Sequence, residues 1–357
     1  WPVRLVGTSS ATAAMRERGA ESGVGRWNEL YLGPYLFTEY LDLREIELPQ
    51  GRHGASLSES FAGYDNQPFR EAAEAVESAR RQFMITGGFP ELALQASSGD
   101  EASDLFRSQQ VLRSDAIEKA VYKDIPQAFQ IQDPTKLERM LYTLAGQITG
   151  LLSPQTIGTD IALSDVSVDK YLKYFERAFL VFTLPNYSHQ EETVQRRGRR
   201  IYFVDGAVRN AALLRGLGPL KSPEEFGLLT ENLAAAHLHA LSQLAGVRLY
   251  HWRHKKDEVD LVYDHPSDPL AFEITASHRH GTRGIAAFQS QFPRFKGRCY
   301  LVSPALSYKP PIDDSPGYLP LDAFLVAVGR EAAKSLDLRL GIQRERDGTQ
   351  LRLRFLD

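Results

Sequence analysis

The chain has 357 residues, of which 43% are hydrophobic and 24% are charged. These values exclude a mainly disordered protein, and the length predicts more than one hydrophobic core. The net charge of -3 excludes a global attraction to nucleic acid or anionic lipid, so only a local basic patch could bind either one. Cys299 is the only cysteine and no apolar run is long enough to cross a bilayer, so we expect a cytoplasmic protein without an internal disulfide or a membrane partner.

The first predicted elements follow the order strand, loop, helix, which is typical of an α/β unit with a parallel sheet. Residues 3–6 predict a buried strand, residues 7–10 a loop and residues 11–18 an amphipathic helix. The chain begins with Trp1 directly before this strand, and not with methionine. We therefore expect a chain that is truncated at its N-terminus, with most of the sheet upstream.

A helical region follows from residue 59 to about residue 150. Two further helices at 153–162 and 167–177, with a tight turn between them and an apolar strand at 178–184, predict a winged helix-turn-helix. Its second helix would place these residues near DNA: Ser167, Val168, Lys170, Tyr171 and Tyr174. The helix offers few positive charges, so packing between domains is the alternative.

The remainder of the chain alternates between strand and helix. The pattern predicts a strand at 200–204, a long helix at 226–244, strands at 247–252, 258–263 and 270–274, a helix at 285–292 and a strand at 299–302. Around Asp347 and Gly348 the tail alternates apolar and polar residues, which indicates a hairpin. We expect an α/β domain followed by a short C-terminal extension.

Four separated motifs occur in one order along the chain. They are Val6-Gly7-Thr8-Ser9-Ser10-Ala11, Leu32-Gly33-Pro34-Tyr35-Leu36-Phe37-Thr38-Glu39-Tyr40, Gly87-Gly88-Phe89-Pro90-Glu91 and Ile201-Tyr202-Phe203-Val204-Asp205. Together they resemble the prokaryotic AAA-superfamily ATPases that bear the C-terminal domain of unknown function 4143, over about residues 1 to 325. The resemblance implies an α/β multi-domain fold: the end of a P-loop AAA core at 1–48, a helical lid at 49–147, a winged helix-turn-helix at 148–186, a restriction-endonuclease-like domain at 187–325, and an extension with a hairpin at 326–357.

The resemblance also implies ATP and Mg²⁺ as ligands of the intact protein. Thr8 or Ser9 would carry a polar sensor toward the γ-phosphate, and Arg26 matches a basic position that could contact phosphate. The alternatives are a helix N-cap for Thr8 and Ser9 and an ordinary surface position for Arg26. The chain contains no Gly-Lys pair and hence no Walker A loop, so we expect that it does not hydrolyse ATP as it stands.

Three carboxylates in the α/β domain resemble the metal site of the restriction-endonuclease-like nucleases. Glu231 lies on the long helix, Asp260 on one predicted strand and Glu273 on the next. In such nucleases the carboxylates hold Mg²⁺ or Mn²⁺ against the scissile phosphate. Thr275 stands where a nuclease carries lysine, and it cannot supply a positive charge.

Two interpretations of this site are open. Lys256, two residues before Glu258 and so on the same strand face, could be a relocated lysine, which would leave a metal-dependent nuclease acting on DNA or RNA. Alternatively, the carboxylates are simply exposed or paired with Arg253 and Lys255, and the fold is kept as a binding module. The sequence favours the second interpretation, with weak metal binding at most.

A basic turn precedes the strand at 200–204. Arg196, Arg197, Arg199 and Arg200 are the densest positive charge on the chain and could grip a nucleic-acid backbone, although such turns are usually solvated. The sequence thus predicts part of an ATP-binding AAA-type protein whose nuclease-like domain is degenerate and serves in binding or regulation. An active nuclease and a non-enzymatic module that senses a protein partner are the alternatives.

Overall fold

The computed structural model describes residues 32–48, 54–62, 71–95, 101–196, 198–276, 281–347 and 350–355. The predicted α/β unit at the start of the chain lies outside the described residues, as do Thr8, Ser9, Arg26 and Arg197. The described part is a mixed α/β, multi-domain structure. Within it no helix is long and apolar enough to pass through a membrane.

Helices dominate the first part, as the sequence predicts. They are α1 (Phe37–Leu43), α2 (Leu57–Ala62), α3 (Ala73–Thr86), α4 (Pro90–Gln95), α5 (Glu101–Leu112), α6 (Ile125–Phe129) and α7 (Thr135–Gly146), and two π-helical segments, Arg113–Glu118 and Ala120–Asp124, connect α5 to α6. In α7 the buried residues Leu137, Leu141 and Leu144 recur at helical spacing, which gives the helix one apolar face toward the core.

Two short helices follow, α8 (Pro154–Ile161) and α9 (Asp165–Arg177). Ser153 and Ser164 cap them, because each hydroxyl oxygen accepts a hydrogen bond from a backbone amide three residues further on. After α9 come β1 (Val181–Leu184), α10 (Glu191–Arg196) and β2 (Arg200–Phe203), and β1 pairs with β2 in antiparallel orientation. The predicted order of helix, turn, helix and strand is confirmed.

The last part contains a five-stranded mixed sheet. Its elements are α11 (Gly206–Ala212), α12 (Pro223–Ala245), β3 (Leu249–His254), β4 (Asp257–Tyr263), β5 (Leu270–Ile274), α13 (Arg283–Gln291), β6 (Cys299–Ser303), β7 (Gly317–Pro320) and α14 (Leu321–Leu340). The strands lie in chain order; β3, β4 and β5 are antiparallel, whereas β5, β6 and β7 are parallel. Helices α12 and α14 share one hydrophobic core with one face of the sheet, and α13 packs on the other face.

The predicted strands and the long helix are confirmed to within a few residues. The tail forms the predicted hairpin, in which β8 (Ile342–Asp347) pairs with β9 (Gln350–Phe355). One departure from regular strand geometry lies on β4. Tyr250 pairs with Val262 and Trp252 with Val259, so the single residue His251 faces two residues, Asp260 and Leu261. This is a β-bulge, and bulges change the direction of the side chains that they carry.

Candidate functional site

Strand β2 carries an arginine into the space beside α12 and β4. Ile201 and Phe203 belong to the core of the helical part, whereas Tyr202 packs in the core formed by α12 and the large sheet. Because side chains alternate between the two faces of a strand, Arg200 shares the face of Tyr202. The strand is fixed to α12 by Asn232, whose side chain accepts a hydrogen bond from the amide of Phe203 (2.8 Å) and donates one to its carbonyl (3.1 Å).

The guanidinium of Arg200 lies among three carboxylates. Its Nη1 is 2.8 Å from Asp260 Oδ1 and 3.4 Å from Glu231 Oε1, and its Nη2 is 2.7 Å from Glu258 Oε2. Arg200 is 5% exposed and Asp260 is 7% exposed, whereas the side chain of Glu258 is 41% exposed and forms the rim. We call these four residues the Arg200 cluster. The alternative in which the carboxylates are exposed or paired with Arg253 and Lys255 is therefore wrong for Glu231 and Asp260.

The β-bulge allows Asp260 to take part in this cluster. Its neighbour Leu261 packs in the core on the α12 side, and the extra residue lets Asp260 reach the same side as Glu231. The second oxygen of Asp260, Oδ2, accepts a hydrogen bond from the amide of Ile274 at 2.8 Å. Both oxygens of Asp260 are thus engaged.

Burial shapes the electrostatics of the cluster. It raises the pKa of Glu231 to about 8, with a further contribution from the charge of Asp260 that exceeds the opposing effect of Arg200. Tyr202 donates its hydroxyl hydrogen to Glu231 Oε1 at 3.0 Å. Burial by itself would lower the pKa of Arg200, but Tyr202 and the three carboxyl groups outweigh it and the pKa is raised. Burial therefore favours the neutral form of Glu231, whereas Arg200 stays charged.

The carboxylates of the cluster do not fit a divalent metal ion in this arrangement. A magnesium or manganese ion needs free oxygen ligands, whereas the oxygens of Asp260 and Glu231 that face each other already contact a guanidinium, whose charge would repel a cation. Across the ranges that the structure describes, no group of three or more His, Cys, Asp and Glu side chains is arranged to hold a metal ion.

Three other residues of the predicted site are Glu273, Thr275 and Lys256. Glu273 and Thr275 are buried at the end of β5, on either side of Ile274, whose amide donates a hydrogen bond to Asp260. Lys256 lies in the exposed turn between β3 and β4, outside the strand, so the prediction that it shares a strand face with Glu258 is wrong. The guanidinium of Arg200 therefore joins Glu231 and Asp260 of the predicted constellation and adds Glu258 to them.

The predicted basic turn is divided between surface and interior. Arg199 is half-buried and pairs with Asp169 of α9 at 2.7 Å, whereas Arg200 is buried, so Arg200 does not lie on a surface that could bind a nucleic acid. Arg196 ends α10 and Arg197 lies outside the described residues.

Helix α9 also departs from the predicted DNA surface. Val168 and Tyr174 are buried in the core of the helical part, so the prediction that they approach DNA is wrong. Lys170 is exposed, and Ser167 and Tyr171 are half-buried.

A second polar site joins three of the four motifs that the sequence sets apart. The amide of Gly88 donates a hydrogen bond to Asp205 Oδ2 (2.7 Å), and the amide of Tyr35 donates one to the carbonyl of Gly88 (2.7 Å). The other oxygen of Asp205 accepts from the amide of Ala207 at 2.8 Å, which caps α11. A Cβ at Gly88 would lie 2.2 Å from the Tyr35 carbonyl oxygen, so only glycine fits there. We call this contact set the Asp205 joint.

A histidine fixes the same N-terminal segment to α12. The amide of Phe37 donates a hydrogen bond to Nε2 of His237 at 2.9 Å, and its Nδ1 lies 2.9 Å from the carbonyl of Leu233. Burial lowers the pKa of His237 to about 4, so the ring is neutral and Nε2 can accept. The sequence pattern gave no signal for this contact, because the two partners are 200 residues apart.

Comparison with known proteins identifies two domain families. A family model described as "Domain of unknown function (DUF8612)" matches residues 77–219, and one described as "Domain of unknown function (DUF4143)" matches residues 226–323. The chain is 21% identical over 247 residues to "Uncharacterized protein MJ1544" of Methanocaldococcus jannaschii. The aligned region covers 66% of this chain and 52% of that protein. The chain thus spans about half the length of this relative. No solved structure matches the chain.

Proposed function

We propose that the DUF4143 domain of this chain, residues 226–323, is a nuclease-like module without cleavage activity that serves in binding or regulation. The observation that carries this proposal is the position of Arg200, whose guanidinium lies among Glu231, Glu258 and Asp260. A guanidinium supplies positive charge but cannot coordinate and activate a water molecule, as a metal ion in a nuclease does.

The order of elements supports the nuclease-like description. Helix α12 is followed by the antiparallel strands β3, β4 and β5, then by α13 and the parallel strand β6, and this order carries Glu231 on the helix, Asp260 on β4 and Glu273 on β5, as the resemblance implies. Thr275 supports the loss of activity, because loss of one electrostatic contributor of this kind commonly lowers the rate by about 10²–10³-fold.

The wider setting of this module is a protein of the AAA type that binds ATP and Mg²⁺. This part of the proposal rests on the four motifs and on their order along the chain. Thr8, Ser9 and Arg26 would contribute to the nucleotide site, while the phosphate-binding loop would come from elsewhere in the protein. The helix-turn-helix of α8 and α9 would then connect the ATP-binding part to the DUF4143 domain.

A cleavage assay tests the proposal. The full chain is incubated with Mn²⁺ and with single-stranded and double-stranded DNA and RNA, and Asp260→Ala serves as the matched control for contaminating nuclease. We expect the two proteins to give the same background. Robust cleavage by the parent chain that disappears in Asp260→Ala would overturn the proposal and favour a metal-dependent nuclease.

A gain-of-function variant sharpens the same test. Thr275→Lys alone restores the missing charge but leaves Arg200 among the carboxylates, so we expect no cleavage from it. The double variant Thr275→Lys with Arg200→Ala removes both obstacles. Cleavage that appears in the double variant and is absent from Thr275→Lys would support a degenerate nuclease site closed by Arg200.

A further inference from the structure

The hairpin of β3 and β4 ends in four consecutive basic residues. Arg253, His254, Lys255 and Lys256 are all exposed, and we call them the basic tip. Strand β5 pairs with β4 over residues 261–263, so the basic tip lies beyond the paired part of the large sheet. On a chain with a net charge of -3, the basic tip is a local concentration of positive charge at the surface.

The carboxylates beside the basic tip are bound by arginines from outside the hairpin. The strand register places Arg253 opposite Glu258, where opposite charges commonly pair. Instead, Glu258 Oε2 lies 2.7 Å from Nη2 of Arg200, and Asp257 Oδ1 lies 2.8 Å from Nε of Arg283. Among the described residues, no carboxylate forms an ion pair with a side chain of the basic tip. Negative charge that would repel an anionic partner is thus already neutralised.

The main chain at the base of the tip is held from both sides. The side chain of Asn186 donates a hydrogen bond to the carbonyl of Arg253 (3.0 Å) and accepts one from its amide (3.3 Å). On the other strand, Gly284 of α13 packs so closely that a Cβ there would lie 2.0 Å from the Glu258 carbonyl oxygen. A fixed main chain lowers the entropic cost of placing several charged groups against one partner.

The turn itself carries lysine where backbone conformation favours another residue. Lys255 has a φ of 56°, a left-handed conformation that glycine and asparagine adopt more readily. The side chain is exposed, so packing does not explain the choice. Positions that break a local rule without a gain in packing are expected at functional sites. The conformation of Lys255 therefore indicates a role for its charge.

The chemistry of the basic tip favours a nucleic acid over a protein as its partner. Protein interfaces have an apolar centre and are depleted in lysine, whereas phosphate groups are bound by arginine and lysine alone. A two-stranded ribbon fits the major groove of B-form DNA, and the major groove of duplex RNA is too narrow for it. We infer that the basic tip, residues 253–256, binds the phosphate backbone of duplex DNA. The inference rests on the proposed function, because it names the partner of the non-cleaving module.

Fluorescence anisotropy of a labelled DNA duplex, titrated with the full chain at about 50–200 mM salt, tests the inference. The double variant Lys255→Asn with Lys256→Asn should bind at least about tenfold more weakly at the lowest salt. Its salt dependence should be shallower by about 2 in the log–log slope, since each lost phosphate contact removes about 1. Asparagine suits the left-handed turn, so this variant folds, and urea unfolding checks it. Lys255→Arg with Lys256→Arg keeps the charge and should retain binding.

The matched control is Lys170→Gln with Lys173→Gln, which removes two exposed positive charges from α9. It should change the affinity by about twofold or less. Equal losses for the Asn and Gln double variants would overturn the inference, because binding would then depend on net charge or on the helix-turn-helix. Absence of DNA binding by the parent chain would overturn it as well.

Three competitors identify the partner. Single-stranded DNA and duplex RNA should displace the labelled duplex less well than unlabelled duplex DNA, and an acidic peptide of equal charge should displace it least. Better displacement by any of the three would contradict the assignment to duplex DNA. All titrations contain a chelator and no Mn²⁺, so cleavage does not enter them. Failure of DNA binding would leave the cleavage assay unaffected, and the two failures are therefore distinguishable.

Discussion

Two aspartates of this chain, Asp205 and Asp260, bind different kinds of hydrogen-bond donor with their carboxylate oxygens. Each carboxylate is withdrawn from water and needs partners for both oxygens. Asp205 obtains two backbone amides, from Gly88 and Ala207, whereas Asp260 obtains one amide, from Ile274, and the side chain of Arg200. The partners of Asp205 are neutral and belong to the main chain, so that contact is part of the fold.

One of the two partners of Asp260 is a side chain with a full charge. Arg200 is shared with Glu231 and Glu258, and the charge balance of the whole cluster depends on it. The Asp205 joint is therefore held by main-chain geometry, whereas the Arg200 cluster depends on electrostatics and responds to changes in charge. Four measurements test the roles of these contacts and of the turn beside them.

The largest effect should come from Arg200→Met, which keeps an unbranched apolar stem but removes the guanidinium and its charge. Asp260 would remain buried with an unpaired oxygen, and breaking a buried ion pair on one side commonly costs about 3–5 kcal/mol. Urea unfolding at pH 7 measures the loss. Arg199→Met, which removes the half-buried pair with Asp169, should cost about 1 kcal/mol or less. Equal losses for the two variants would refute the importance of the cluster.

The Asp205 joint should respond to Gly88→Ala. The added methyl group would meet the backbone of Tyr35, which cannot rotate away, and such overpacking commonly costs about 1–3 kcal/mol. Gly146→Ala is the control, because a Cβ there meets no atom within 4 Å. Thermal unfolding should show a lower midpoint for Gly88→Ala alone. An unchanged midpoint would mean that the contact of the motifs opens at little cost.

Glu231→Gln should change the pH dependence of stability. The folded pKa of Glu231, about 8, lies above its ordinary value of 4.5, so the unfolded chain releases this proton first as the pH rises. The contribution of Glu231 is therefore fully present below pH 4.5 and is lost as the pH rises toward 8. Relative to Glu231→Gln, the parent chain should therefore lose stability between pH 5 and pH 8, as measured by urea unfolding at a series of pH values. Parallel stability curves for the two proteins would contradict the assignment.

The smallest effect should come from the turn before Glu258. Lys255 has a φ of 56°, a left-handed conformation that asparagine adopts more readily than lysine. Lys255→Asn should thus stabilise the β3–β4 hairpin by about 0.5 kcal/mol without altering the cluster. Lys256→Asn, at a position without a positive φ, should give no gain. A gain from both variants would point to charge removal and not to backbone conformation.

Local patterns in the sequence determined most of the elements. The alternation of apolar and polar residues predicts β3 to β6, helical spacing predicts α12, and Asp347-Gly348 predicts the hairpin of β8 and β9, because these signals depend on residues that are close in the chain. The acidic character of the site was also visible, since Glu231 and Asp260 lie on elements that the pattern identifies.

Tertiary structure alone decided what these carboxylates contact. Arg200 is 58 residues from Glu258 and 60 residues from Asp260, and its sequence neighbours place it in a basic surface turn. Arg200 is buried because the side chains of β2 alternate between two hydrophobic cores. Asp260 contacts Arg200 because of a β-bulge, which the hydrophobic periodicity of the sequence does not reveal. The order of the motifs could be read from the sequence. The contacts of Tyr35 with Gly88 and of Gly88 with Asp205 could not, because residues far apart in the chain meet only when the packed elements bring them together.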